Sequence, residues 1–171
     1  MDEWVLREKN RIFEDVDGIK SDFTGLVGEM VKSELSNELP WEKYRERIID
    51  ACEDVKDSLG ILIQTKEAKL KYTYAFASVT SMNVLNSEIE SLYYRVSELT
   101  TTKVGSGKLS LVKKVQGWLS KLKQKIKKIS SHLWQLISRL LTPKSWTIHG
   151  DTGVSILGLT GNVGISITFG P

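Results

Sequence analysis

The chain has a single cysteine, Cys52, in 171 residues, so it can close no disulfide of its own and reads as a protein of a reducing compartment. Its two histidines, His132 and His149, cannot assemble a compact zinc set with one thiol at any recognised spacing, and no cofactor is implied. Only Pro40, Pro143 and Pro171 interrupt the backbone, which leaves room for long helices. No apolar run approaches the roughly 18 residues that a spanning helix needs, and the acidic start Met1-Asp2-Glu3-Trp4 does not read as a secretory signal. A cytoplasmic location is the expectation, with peripheral binding at a membrane kept open.

Signatures of catalysis are equally scarce. Neither Gly-x-Ser-x-Gly, His-Glu-x-x-His nor a dinucleotide-binding glycine pattern occurs, so an enzyme is not expected. Asp151-Thr152-Gly153 matches the aspartic-protease tripeptide, but Val154 follows where Ser or Thr is required and too little chain remains to build the lobe; a turn is the better reading. Gly105-Ser106-Gly107-Lys108 lacks the first glycine of a phosphate loop, which would fall at Thr102, and Leu109 stands where a magnesium-binding hydroxyl belongs.

The last conspicuous absence is of acid. Residues 101–144 hold 11 Lys/Arg and no Asp or Glu, whereas residues 1–100 hold 13 Lys/Arg against 20 Asp/Glu. A net charge of +3 therefore hides an acidic first part and a strongly basic second part, which predicts electrostatic pairing within the chain or with a partner. The acidic part would repel phosphate and no base-stacking platform is visible, which argues against nucleic acid.

What the basic part does contain is a long amphipathic helix over 108–141. Leu109, Val112, Val115, Leu119, Leu122, Ile126, Ile129, Leu133, Leu136 and Leu140 recur at steps of three or four and form one stripe. Lys113, Lys114, Lys121, Lys125 and Lys128 spread over the remaining arc, Trp118 sits at the edge of the stripe and Trp134 on its flank. These seven residues are the candidate contacts for an anionic membrane surface or an acidic protein partner. A stripe this wide left in water would be a large contiguous apolar patch, so the sequence predicts that it rests against the remaining helices, with their acids facing the lysines at the rim.

Three further stripes precede it in an acidic region spanning 1–103. Val5, Ile12, Val16, Ile19, Phe23, Leu26, Met30 and, less regularly, Leu35 mark the first, with Gly18, Gly25 and Gly28 permitting either a bend or close helix approach. After a turn at Ser36-Asn37-Glu38-Leu39-Pro40 comes the second, on Trp41, Tyr44, Ile48, Cys52, Val55, Leu59 and Leu62, which either runs on or breaks near Gln64-Thr65. Phe76, Val79, Leu85, Ile89, Leu92, Val96 and Leu99 carry the third, with Met82 near it. Residues 104–107 read as a Gly/Ser joint.

The pattern changes to period two in the tail, 145–171, which is rich in glycine. Val163, Ile165, Ile167 and Phe169 alternate strictly, and a turn at Gly161-Asn162 would pair Ile156 with Ile167 and Val154 with Phe169. Val154, Ile156, Ile165, Ile167 and Phe169 are therefore the candidate self-assembly residues, since a lone hairpin is marginal in water and seeks the bundle or another chain. The fold expected is mainly α: an antiparallel bundle of about four long helices with a short C-terminal β-hairpin or meander.

From Leu133-Trp134-Gln135-Leu136-Ile137 through Leu141-Thr142-Pro143-Lys144-Ser145-Trp146 to Gly164-Ile165-Ser166-Ile167-Thr168-Phe169-Gly170-Pro171, the last quarter resembles C-terminal tails of prokaryotic signalling and conflict-system proteins. The arrangement of a helical domain before a Gly-rich β tail also resembles cell-death effectors of the HeLo and bacterial Bell type with amyloid signalling motifs. That resemblance implies a tail templated by a receptor and a helical domain that attacks membranes. The chain lacks the very apolar N-terminal helix of such pore formers, so the resemblance points to assembly signalling, through a protein partner or self-association, more than to membrane killing.

Overall fold

A computed structural model describes residues 2–101 and 105–141, and the backbone of 145–150 and 163–168. Four helices pack together: α1 (Glu3–Met30), α2 (Trp41–Gln64), α3 (Ala68–Thr101) and α4 (Ser106–Leu140). α1 packs on α2 and α4, and α3 packs on the same two, so α1 and α3 face each other across the diagonal. Neighbours run antiparallel, since Asp2 and Glu29 at opposite ends of α1 meet Arg139 and Lys114 at opposite ends of α4. This is the up-down-up-down arrangement that short connections favour.

The first two helices bury the stripes their sequences carry. Val5, Ile12, Val16, Ile19, Phe23, Leu26 and Met30 of α1 are all in the core, and so are the seven stripe residues of α2 from Trp41 to Leu62. The one gap in the α1 stripe, between Val5 and Ile12, is filled by a buried Glu8. Asp2 caps α1 by accepting from the Trp4 N–H at 3.0 Å. A Cβ placed at Gly18, Gly25 or Gly28 would meet nothing within 4 Å, and α1 is continuous through them, so these glycines bring no helix closer.

The turn between α1 and α2 is built from side chains. Ser33 Oγ donates to the Met30 carbonyl at 2.8 Å and accepts from the Leu35 N–H at 3.1 Å, turning Leu35 into the core after the helix has ended. The Leu35 carbonyl then accepts from the buried indole N–H of Trp41 at 2.7 Å. Thr65 ends α2, its hydroxyl donating to the Ile61 carbonyl at 2.8 Å, which settles the break near Gln64-Thr65.

α3, which starts at Ala68, departs from expectation at Phe76, which is 68% exposed; Val79, Leu85, Ile89, Leu92 and Val96 are buried as expected, and Ala75 and Met82 complete the line. One residue is about 100° on a helix wheel, so a core line through Ala75 turns Phe76 outward.

Candidate interaction site along the fourth helix

The apolar stripe of α4 is inside the bundle: Val112, Val115, Leu119, Leu122, Ile126, Ile129, Leu133 and Leu136 are buried. Leu109 and Leu140, at its two ends, are half-buried. The candidate residues thus divide by what they touch.

On the α1 side the cations form a ladder. Lys108 pairs with Glu38 at 2.9 Å, Lys114 with Glu29 at 3.5 Å, Lys125 with Asp22, Lys128 with Asp15 at 3.3 Å, and Arg139 with Asp2 at 2.8 Å. Between the last two rungs, His132 Nδ1 stands 3.1 Å from Glu8 Oε2 with both side chains largely buried. Neither atom has a well-formed hydrogen bond, so this rung is held by proximity and shared burial. Glu8, Asp15, Asp22 and Glu29 recur every seventh residue, which keeps them on one edge of α1. That recurrence was the available sequence signal for the ladder. The five rungs other than His132 to Glu8 are between substantially exposed side chains, where water screens each pair, and they orient α4 more than they hold it. The Trp4 N–H first, and then Arg139, hold the Asp2 carboxyl below its usual range.

On the α3 side Lys123 pairs with Glu90 at 3.7 Å and lies over the Tyr93 ring at 4.9 Å. Gln116 donates to Ser97 Oγ at 3.1 Å.

Lys113, Lys121 and Lys127 are exposed and make no ion pair among the described residues. Trp118 and Trp134 are partly buried against the core, and Lys114 lies over the Trp118 ring at 4.5 Å. Trp118 and Lys121 form one wall of an open groove of about 390 Å³, with Asp22, Gly25 and Glu29 of α1 on the other. The structure therefore brings Lys114, Trp118, Lys121 and Lys125 together along the α1–α4 seam. Lys113 stands apart from that seam, and Lys128 and Trp134 lie further along the helix.

Among the described residues no group of three or more His, Cys, Asp or Glu could hold a metal ion, and no helix is long and apolar enough to cross a membrane. Burial pushes the Cys52 thiol up to about 12, which makes it a core residue and not a nucleophile. Ser106 and Gly107 of the would-be phosphate loop lie in the first turn of α4, and Lys108 is turned to Glu38. Asp151, Val154, Ile156 and Phe169 lie outside the described residues, and His149, Ile165 and Ile167 are described for backbone alone. No protein-family model, curated protein or solved structure matches the chain.

Proposed function

We propose that this protein is a non-enzymatic assembly module, in which the four-helix body carries a self-pairing tail and α4 presents cations to a protein partner. The observation that carries the reading is the buried stripe. With Val112 to Leu136 inside the bundle, α4 offers lysines and no apolar face, so the apolar alternation of Val163, Ile165, Ile167 and Phe169 belongs to the segment with assembly chemistry. An antiparallel backbone pairing of Ser145–Gly150 with Val163–Thr168 supports a β tail. In that register Ile167 is opposite Trp146 and Ile165 opposite Ile148, so the pairing is longer in range than a turn at Gly161-Asn162 predicts. Each of the two paired strands has an outer edge to offer another chain. A role in a prokaryotic immune-like or stress-signalling pathway rests on the resemblance of the tail alone.

Ile165→Lys or Ile167→Lys, each in the full chain, tests the reading by sedimentation velocity and circular dichroism. The expected result is loss of large assemblies with the helical signal intact. Assemblies that persist, or a body that unfolds, would overturn it.

A second reading, a peripheral membrane-active effector, draws on the exposed Lys113, Lys121 and Lys127, each adding up to about 1 kcal/mol on an anionic surface. Co-sedimentation with anionic but not neutral vesicles, abolished by replacing those three lysines with glutamine, would favour it over the first.

A further inference from the structure

We infer that the outward ridge of α3 is a docking surface for a second copy of this chain, packed antiparallel with Val84 at the two-fold axis. Lys69, Thr73, Phe76, Thr80, Val84, Ser87, Ser91, Tyr94 and Glu98 are all exposed and follow one another at steps of three or four, so they form a single straight line along the helix. Between its two ends that line carries no charge. The outward faces of the other helices do: Glu14 and Asp17 on α1, Glu46 and Asp50 on α2, Lys113 and Lys127 on α4.

Four of the seven large apolar side chains left exposed among the described residues are on α3: Leu70, Phe76, Val84 and Tyr94. Phe76, Val84 and Tyr94, at 68%, 46% and 63% exposure, are on the ridge itself. Apolar residues scattered singly need no explanation, but a row of them on one uncharged line marks an interaction face.

The identity of the partner follows from the order of residues. Laid antiparallel on itself with Val84 at the axis, the ridge sets Lys69 of one copy against Glu98 of the other, Thr73 against Tyr94, Phe76 against Ser91 and Thr80 against Ser87. Each large ring meets a small hydroxyl residue, and each terminal charge meets its opposite, twice over, as an isologous contact requires. Laid parallel, the same ridge would set Lys69 on Lys69, Glu98 on Glu98, and ring on ring. A partner of different sequence would have to reproduce this spacing of rings, hydroxyls and charges, which a second copy supplies by symmetry.

Because α3 packs on α2 and α4 and lies diagonal to α1, its ridge is the corner of the bundle, and the charged faces of α2 and α4 stand back from the contact. A single-helix contact is smaller than a standard interface of about 1,600 Å², so the dimer is weak and depends on concentration. Where the tail self-pairs as proposed above, two bundles joined at α3 also hold two tails at high local concentration; that consequence rests on the proposed function, whereas the contact does not.

The test is sedimentation equilibrium of the full chain over a range of concentrations, in the wild type and in Ile167→Lys, whose tail is charged. Apparent mass rising with concentration from 19.3 kDa towards twice that value in Ile167→Lys is the expected result, with the wild type reaching at least that mass. Val84→Glu, which sets two carboxylates face to face at the axis, should raise the dimer dissociation constant at least tenfold with the thermal melt unchanged, because the side chain is exposed. Under mild oxidation Val84→Cys should form a covalent dimer and Thr73→Cys should not, Cys52 being buried and silent. The inference is overturned by a wild-type monomer at every concentration, by undiminished dimer in Val84→Glu, by dimerisation lost in Ile167→Lys, or by equal self-crosslinking at Thr73→Cys.

Discussion

Replacing His132 by Leu takes away the only ionisable side chain at ion-pair distance from Glu8 among the described residues, and does so inside the core. Glu8 is 6% exposed and sits in the apolar stripe of α1, with its Oε2 closed off from water beside His132. A buried polar group stripped of its partner costs about 1–3 kcal/mol. At about 2–4 °C per kcal/mol for a chain of this size, His132→Leu should melt roughly 4–8 °C below the wild type for a mid-range cost of about 2 kcal/mol. The double variant Glu8→Leu/His132→Leu should behave differently, since a buried polar pair exchanged for packed apolar side chains is commonly neutral or stabilising. It should recover the wild-type midpoint or exceed it. Urea unfolding followed by circular dichroism on the four proteins of the cycle gives the coupling, expected to be at least about 1 kcal/mol because the residues touch. Single effects that add to the double within about 0.5 kcal/mol would refute the claim that the two side chains depend on each other.

Three further outcomes follow from the core. Gly18→Ala and Gly25→Ala, where a Cβ has open space in the body of α1, should each raise the urea midpoint by up to about 1 kcal/mol in stability; a loss at either site would mean a packing role that the open space denies. Trp41→Phe removes the 2.7 Å indole bond and leaves the Leu35 carbonyl the Glu38 N–H at 3.1 Å alone, so it should cost about 0.5–1.5 kcal/mol by the same urea titration, with the α1–α2 turn losing hydrogen-exchange protection first. The Cys52 thiol, held neutral up to about 12 when folded, ionises near 9 when unfolded, so the unfolded chain binds fewer protons over that window and stability falls as pH rises through it. The wild type should therefore lose about 1.4 kcal/mol per pH unit above pH 9 relative to Cys52→Ala, and parallel pH profiles for the two proteins would count against the buried thiol.

All four helices were legible from their apolar periodicity, and in α1 and α2 a strong contrast of apolar and charged residues fixes the buried line to the residue: every stripe position of α1 to Met30 and of α2 is in the core. α3 lacks that contrast. Between Lys71 and Glu88 it has no charged residue, and its Ser, Thr and Asn occupy both environments. Ser78 is buried with its hydroxyl donating to the Tyr74 carbonyl at 2.8 Å, while Thr80 two residues on is exposed. A hydroxyl that can satisfy itself on the preceding turn gives no signal of which way it faces, and so Phe76 was drawn into the expected stripe. The burial of the α4 stripe and the meeting of its lysines with acids were legible in the charge asymmetry. Which acids they meet was not, because that depends on α4 packing beside α1 and not only beside α3, its neighbour in sequence.

The ladder between α1 and α4 has a further consequence, because its spacing repeats. On α4, Lys114, Lys121 and Lys128 are seven apart, as are Lys125, His132 and Arg139, and the buried stripe of Val112, Val115, Leu119, Leu122, Ile126 and Ile129 falls on apolar residues again when shifted by seven. Sliding α4 along the bundle by two turns, about 10 Å, would therefore find apolar side chains still facing the core and several acids of α1 still facing cations. What tells the two addresses apart is the rung at Glu8. Here it receives an imidazole, compact enough to be buried beside it; one slip either way would bring Lys125 or Arg139 to the same closed spot, with a long hydrated charge to desolvate. His132 thus acts as a vernier mark, choosing one docking position among nearly equivalent ones and fixing where along the bundle the tail leaves it.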